Sequence, residues 1–294
     1  MFFKIICSFF KLDNISIDLF IVCKLFSFVN ELYDIEIICV DDGSTDETFE
    51  VVKGFYEEHK IKIRYYKKIN GGKHTAINQG AELAEGELFW ILDSDDSLPK
   101  DALSVVVKCW NSIDRSQKEN LAGICGYMAH HDGKVIGSPI VEAGTIVSTL
   151  EMRHKLHITG DMMEVWRTDV MREFPFPEIP NERFCSEALI WNRIATKYPL
   201  YMILDVIYYR DYLDGGLTAN IVKIRMKSPI ASMMTYAEWF DYNIPFADKV
   251  RNAINYWRFA FCAKKRDVKI NGWGILLAPL GYLMYLNDKR KIKL

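Results

Sequence analysis

Apolar runs along this chain of 294 residues are short and end at turn formers. IEIICV (35–40) is a β-branched run that predicts a buried strand. It breaks at Gly43, and Ser44 followed by Glu47 has the spacing of a capping box, so a helix should start there. IKIRYY (61–66) predicts the next strand, NGG a turn, and KHTAINQGAELAEG a helix that ends at Gly86. ELFWIL (87–92) is another strand, followed by an acidic cluster and then a helix from about Pro99, where a first helical turn accepts proline. Strands alternating with helices of roughly 10–15 residues imply an α/β fold, a mostly parallel sheet flanked by helices on both faces.

Past residue 120 the rhythm loosens. LAGICGYMAH with the following DGKVIG suggests a hairpin-like pair. SEALIWNRIATKY has the apolar spacing of an amphipathic helix, and LYMILDVIYYRDYL reads as strand. Residues 228–294 read as mainly helical and rich in aromatic side chains.

Half of the residues are apolar, ample for a real core. The net charge of −2 names no partner. The seven cysteines (7, 23, 39, 109, 125, 185 and 262) show no CxxC and no regular spacing, which fits reduced thiols in a cytosolic protein rather than a disulfide or zinc framework. The apolar N-terminus is interrupted by Lys11, Asp13, Asp18 and Lys24 and has no small-residue cleavage site, so it is a poor signal peptide and a poor membrane span.

The chemistry concentrates in two acidic clusters, Asp41–Asp42 and Asp93–Asp95–Asp96, each directly after a predicted strand. In an open α/β sheet both would lie on the edge where ligands bind. Carboxylates gathered there repel one another until a hard divalent cation and its phosphate ligand arrive, which points to Mg²⁺ or Mn²⁺. An EF-hand loop is excluded: counted from Asp93, the glycine position holds Leu98 and the twelfth position holds Ser104. Asp residues also cap helices and make turns, and for Asp41 and Asp42 taken alone that reading is equally good.

IEIICVDDGSTDET, NGGKHTAINQGAELAEGELFWILDSDDSL and the distance between them resemble the family 2 inverting glycosyltransferases of GT-A fold, strongly over about 35–105 and more weakly to about 215. The resemblance implies a GT-A-like, Rossmann-like sheet with a helical C-terminal extension. It also implies a nucleotide-sugar donor. Asp41 and Asp42 would meet base and ribose. Asp93 and Asp95, with Asp96 adjacent, would carry the ribose and the metal–diphosphate. Lys73 would offset donor charge and Asn78 would order the loop, although a surface lysine and a helix-side asparagine read equally well. The family places an acidic general base at a helix start about ninety residues past its D-x-D, where Ser186–Glu187 stands here. Glu187 is therefore the expected base, with Glu182, Asp161 and Glu178 in reserve. His154 and His157 read as ordinary histidines.

The start departs from the family: FKIICSFFKLDN stands where a Pro-x-Tyr-Asn-like turn would touch the nucleotide. A hydrophobic strand of the right length remains. The expected division is a catalytic region over 1–222, with a nucleotide-sugar half to about 120 and an acceptor half from about 121, followed by a helical extension over 223–294. Residues 270–287 carry no charge and are flanked by basic segments, with eight Lys or Arg and two Asp between 264 and 294. That suits a segment lying in an anionic membrane interface as well as it suits a packed terminal helix. No basic stripe suggests nucleic acid. The expected function is transfer of a sugar from a nucleotide diphosphate to a glycan or lipid-linked acceptor in polysaccharide or cell-envelope synthesis, in the cytoplasm or at the inner face of the cell membrane. The alternatives are a nucleotidyltransferase, which lacks its basic glycine-rich loop here, and a non-catalytic sugar-nucleotide-binding protein.

Overall fold

The computed structural model describes residues 2–9, 34–58, 62–138, 142–211, 217–265 and 267–292. The altered turn and most of the apolar N-terminal stretch, residues 10–33, lie outside them. In chain order come β1 (Phe2–Phe9), β2 (Asp34–Asp41), α1 (Thr48–Glu58), β3 (Lys62–Lys67), α2 (Lys73–Leu83), β4 (Leu88–Asp93), α3 (Ala102–Ser112) and the short α4 (Arg115–Lys118). Then follow β5 (Gly123–Ala129), β6 (Ile146–Val147), α5 (Thr149–His154), β7 (Met162–Arg167), α6 (Thr168–Glu173), α7 (Glu187–Ala195) and β8 (Leu200–Tyr209). The chain ends in α8 (Leu217–Lys227), α9 (Pro229–Asp241), α10 (Phe246–Ala260), a 3₁₀ turn over Gly272–Leu277 and α11 (Ala278–Ile292).

Two compact units result. One is Met1–Pro175 with Ile194–Asp211, and the other is Phe176–Arg193 with Tyr212–Leu294. The first holds a sheet in the order β3-β2-β1-β4-β7-β5-β8-β6. β3, β2, β1 and β4 are mutually parallel, β7 runs against β4 and β5, β8 is parallel to β5, and β6 is antiparallel to β8. The mostly parallel sheet is thus as expected, and the atypical N-terminal segment fills its central place as β1. Leu88 to Leu92 of β4 are all buried, the pattern of a strand covered on both faces. Trp90, Trp110 and Trp166 are among the largest side chains fully removed from water, and the Trp110 indole N–H donates to Glu87 at 2.7 Å.

The boundaries differ from expectation where caps decide them. Ser44 does not start a helix: its N–H donates to Asp41, and α1 begins at Thr48, whose N–H bonds the Asp46 carboxylate at 3.1 Å. A true capping box occurs instead at Ser148 and Glu151. α2 ends at Leu83, three residues before Gly86. After β5 the chain makes a tight turn over 130–134 and returns through the Ala129–Val135 bridge, so the hairpin is only a stub.

The second unit packs α9, α10, the 3₁₀ turn and α11 around Met233, Tyr236, Phe240, Tyr256 and Phe259. α11 is tied to α10 by a bidentate Arg258–Asp288 ion pair with Asp288 buried, and the Trp257 indole N–H donates to the Gly274 carbonyl at 2.9 Å. No described helix is long and apolar enough to cross a membrane.

One close approach in the first unit permits no side chain. Gly137 and Gly160 have φ of 85° and 84°, and a Cβ on Gly160 would fall 2.3 Å from the Gly137 Cα. Gly160→Ala should therefore cost about 1–3 kcal/mol, and lower the melting temperature by roughly 2–4 °C for each kcal/mol. Calorimetry of the variant checks this, and an unchanged midpoint would refute the close contact.

Candidate functional site

The carboxyl ends of β2 and β4 carry the two acidic clusters to one edge of the sheet. β8 is parallel in direction, so its end at Tyr209 comes to that edge too, and antiparallel β7 starts there just after Asp161.

Asp41 and Asp42 are both buried. A buried carboxylate needs donors, and the local chain supplies them. Asp41 accepts from Ser44 N at 2.6 Å and from the Tyr65 hydroxyl, with the Lys67 ammonium 3.8 Å away. Asp42 accepts from the backbone N–H groups of Gly71 (2.9 Å) and Gly72 (2.7 Å) and pairs with Lys68 at 2.8 Å. Gly72 can serve because its φ is 96°, a region open to glycine. Asp42 thus builds the loop that launches α2. Lys73, the first residue of α2, reaches across to Asp93 Oδ2 at 2.5 Å. Asn78 lies half-buried further along the same helix.

The second cluster splits by environment. Asp93 ends β4, and its other oxygen, Oδ1, is buried with no hydrogen-bond partner. Asp95 is exposed in the turn that follows. Asp96 is buried, accepts from the Tyr208 hydroxyl at 2.9 Å and lies 3.9 Å from Arg210, which also pairs with Asp161 at 3.4 Å. Among the described residues no three His, Cys, Asp or Glu side chains converge as a ready metal cage. Two carboxylates, one with an orphaned buried oxygen, still fit a cation that takes its remaining ligands from phosphate and water.

Glu187 opens α7 and is half-buried. It belongs to the second unit. Of the reserve acids, Glu182 is spent: it caps α9 by accepting from Ile230 N (2.7 Å) and Ala231 N (2.8 Å). Glu178 is exposed, and His157 is an exposed residue in a left-handed turn.

The strand end TyrTyrArgAsp (208–211) comes to this edge as well, outside the residues that the sequence motifs single out. The signal was available, because the rule that ligands meet strand ends applies to β8 as it does to β2 and β4. Besides Tyr208 and Arg210, Tyr209 exchanges two backbone bonds with Ser97. Asp211 holds His131 (2.6 Å) and His130 (3.0 Å), and His131 Nε2 is 2.8 Å from the Ser97 hydroxyl.

Residues 21–117 match the family model described as Glycosyl transferase family 2. A relative named as an uncharacterized glycosyltransferase of Rickettsia conorii is 37% identical over 259 residues, 86% of this chain and 37% of that protein. The chondroitin synthase of Pasteurella multocida is 39% identical over 72 residues, 24% of this chain and 7% of the synthase. The chain thus spans well under half the length of these relatives. Among solved structures, S. aureus TarS residues 1–349 aligns with a TM-score of 0.59 at 16% identity, covering 98% of this chain and 80% of that one. A mannosyltransferase from Pyrobaculum calidifontis, solved with GDP-Man and Mn²⁺, aligns with a TM-score of 0.57 at 16% identity, covering 96% of this chain and 80% of the other. The fold is therefore GT-A-like, and the resemblance carried by the acidic motifs agrees with the glycosyl transferase family 2 match over 21–117.

Burial pushes the Asp96 carboxyl up to about 7 against the pull of Arg210. An unfolded aspartate titrates near 3.9. Between about pH 4 and 7 the folded chain holds a proton the unfolded chain has lost, so stability falls as pH rises through that window. Asp96→Asn should flatten this slope. Urea midpoints at pH 5 and pH 7.5 test it, and an unaltered slope would place the titration elsewhere.

Proposed function

We propose that this chain transfers a sugar, with inversion and with the help of a divalent cation, from a nucleotide diphosphate to a glycan or lipid-linked acceptor. The observation that carries the reading is the acidic edge itself: Asp41, Asp42, Asp93 and Asp95 at the ends of the two strands that flank β1, with Lys73 on one Asp93 oxygen and the other left without a donor. The GDP-Man and Mn²⁺ bound by the mannosyltransferase, and the UDP-GlcNAc bound in another TarS structure, support a nucleotide sugar and a metal. The chondroitin synthase relative supports a glycan product.

In this reading the nucleoside lies along the β2 edge at Asp41, with Asp42 shaping the loop beside it. Asp93 and Asp95 would hold Mg²⁺ or Mn²⁺. When bound, the cation offsets the charge gathering on the departing diphosphate. Lys73 can exchange its Asp93 partner for a phosphate oxygen. Glu187 takes the proton from the acceptor hydroxyl as that oxygen bonds to the anomeric carbon. The bond from that carbon to the phosphate oxygen breaks, and the diphosphate leaves with the electron pair. Asn78 stays in the reading as support for the loop.

The second unit fits a place on the inner face of a membrane. One face of α11 packs on α10, which meets the expectation of a packed terminal helix. The other face leaves Leu280 47% and Leu283 62% exposed, and the preceding 3₁₀ turn adds Leu276 (77%), Ile275 and Trp273. Lys264, Lys265, Lys269, Lys289, Arg290 and Lys291 surround this surface in sequence and are exposed. Apolar side chains with basic neighbours match anionic lipid.

Two outcomes test the reading. General-base catalysis is worth about 10²–10⁴-fold, so Glu187→Gln should lose that much transfer rate while donor affinity barely changes. A thermal-shift screen of sugar nucleotides with and without Mn²⁺ identifies the donor first, and transfer within a few-fold of wild type would move the base elsewhere. For the membrane surface, removing residues 268–294 would strip the α10 core and so cannot isolate the effect. Replacing Leu276, Leu280 and Leu283 with serine touches only the exposed face. That variant should stay folded and lose co-sedimentation with phosphatidylglycerol vesicles at low salt. Equal sedimentation of both proteins would refute the surface.

A further inference from the structure

The three acids of the D-S-D-D loop stand in three environments, and one hydroxyl separates them. Tyr208 is the penultimate residue of β8 and is 2% exposed. Its oxygen accepts from the Asp93 backbone N–H at 3.0 Å, and its proton goes to Asp96 Oδ2 at 2.9 Å. A phenol has one proton to give and lone pairs to receive, so both bonds form together and the donor is then spent. Asp93 N and the Asp96 side chain lie on either side of the turn Ser94–Asp95, which Asp96 N closes onto Asp93 O at 3.2 Å. One residue on, Ser97 and Tyr209 exchange backbone bonds of 2.9 and 2.7 Å. Arg210 draws Asp96 from the same side.

We infer that Tyr208 is a positioning residue that divides the acids between two tasks. It latches Asp96 to β8 as a structural acid and sets the turn so that Asp93 Oδ1 and the exposed Asp95 are left for a cation and its diphosphate. This rests on the donor-site reading above and adds to it: two carboxylates, not three, face the ligand, and a tyrosine more than a hundred residues away in sequence decides which two.

The alternative is that Asp96 is itself a ligand and Tyr208 merely fills the core. The two differ in which substitution hurts. Asp96→Asn keeps an oxygen that can accept from Tyr208, so the latch survives and only a ligand role would be lost. Tyr208→Phe keeps the ring and removes the latch. It leaves Asp93 N–H without an acceptor and frees the Asp96 carboxylate to compete for the cation.

The probe is Mn²⁺ itself, followed by the electron paramagnetic resonance signal of the free ion while protein is titrated in, with ADP, CDP, GDP, UDP and dTDP each present in turn. Supporting groups of this kind typically alter metal affinity by about 10–100-fold, so Tyr208→Phe should weaken Mn²⁺ binding by that factor and Asp95→Asn by at least as much, whereas Asp96→Asn should stay within about threefold of wild type. Melting curves on the same samples register folding separately. An Asp96→Asn protein that loses Mn²⁺ as fully as Asp95→Asn would overturn the inference, whether or not Tyr208→Phe folds. So would a folded Tyr208→Phe protein with wild-type affinity. Wild-type protein that binds Mn²⁺ with none of the five nucleotides is a different result: it would overturn the donor-site reading and this inference with it.

Discussion

Burying carboxylates is the constraint on which this sheet edge depends. Asp41, Asp42 and Asp96 are out of water, and a buried charge without donors would cost several kcal/mol. Each is met by a different part of the chain: Asp41 by its own turn and by β3, Asp42 by the glycine loop before α2, and Asp96 by the end of β8. Satisfying the acids therefore fixes the loops. The Gly71–Gly72 segment has its path because two of its N–H groups point at one carboxylate, and that path sets where α2 begins and where Lys73 stands. The acids that remain, Asp93 Oδ1 and Asp95, lack such donors. Ligand capacity is what is left after structural demand has been met.

That order explains what could be read from the sequence. Strand positions were legible because apolar runs such as ELFWIL end abruptly, and the joint placement of the two acidic clusters followed from the strand-end rule. The division of labour among the acids was not legible. Five aspartates look alike in one dimension, and their partners lie far off: Asp93 and Tyr208 are separated by 115 residues. The capping box at Ser44 failed for a related reason. Asp41 captured the Ser44 N–H for the turn, so the helix waited until Asp46 could cap it. A local motif lost to a neighbour with a stronger demand for donors. At Ser148 no such neighbour competes, and the box forms.

The terminal helices show the opposite case, in which a packed face and an exposed apolar face occur together. Tyr285, Asp288 and Ile292 face α10, with Asp288 buried against Arg258. Leu276, Leu280 and Leu283 face water. An uncharged run can supply a packed face and an apolar outer face at once, because a helix separates them by angle rather than by sequence. Periodicity measured against charge alone cannot make that distinction when both faces are apolar.

The same accounting of donors bears on the base. A carboxylate that accepts two backbone N–H bonds at a helix start is held in place, so it is poorly suited to swing onto a substrate proton. Glu182 is in that state at α9, which removes it despite its burial. Asp161 is exposed but shares Arg210 with Asp96, so drawing it into proton transfer would loosen the partner of the latched acid. Glu187 opens a helix of its own, half-buried, with Leu189 and Ile190 beneath it in the core. A helix start contributes only about 0.3–1 kcal/mol to a carboxylate placed there, so the packing of Leu189 and Ile190, more than the charge, sets where α7 begins.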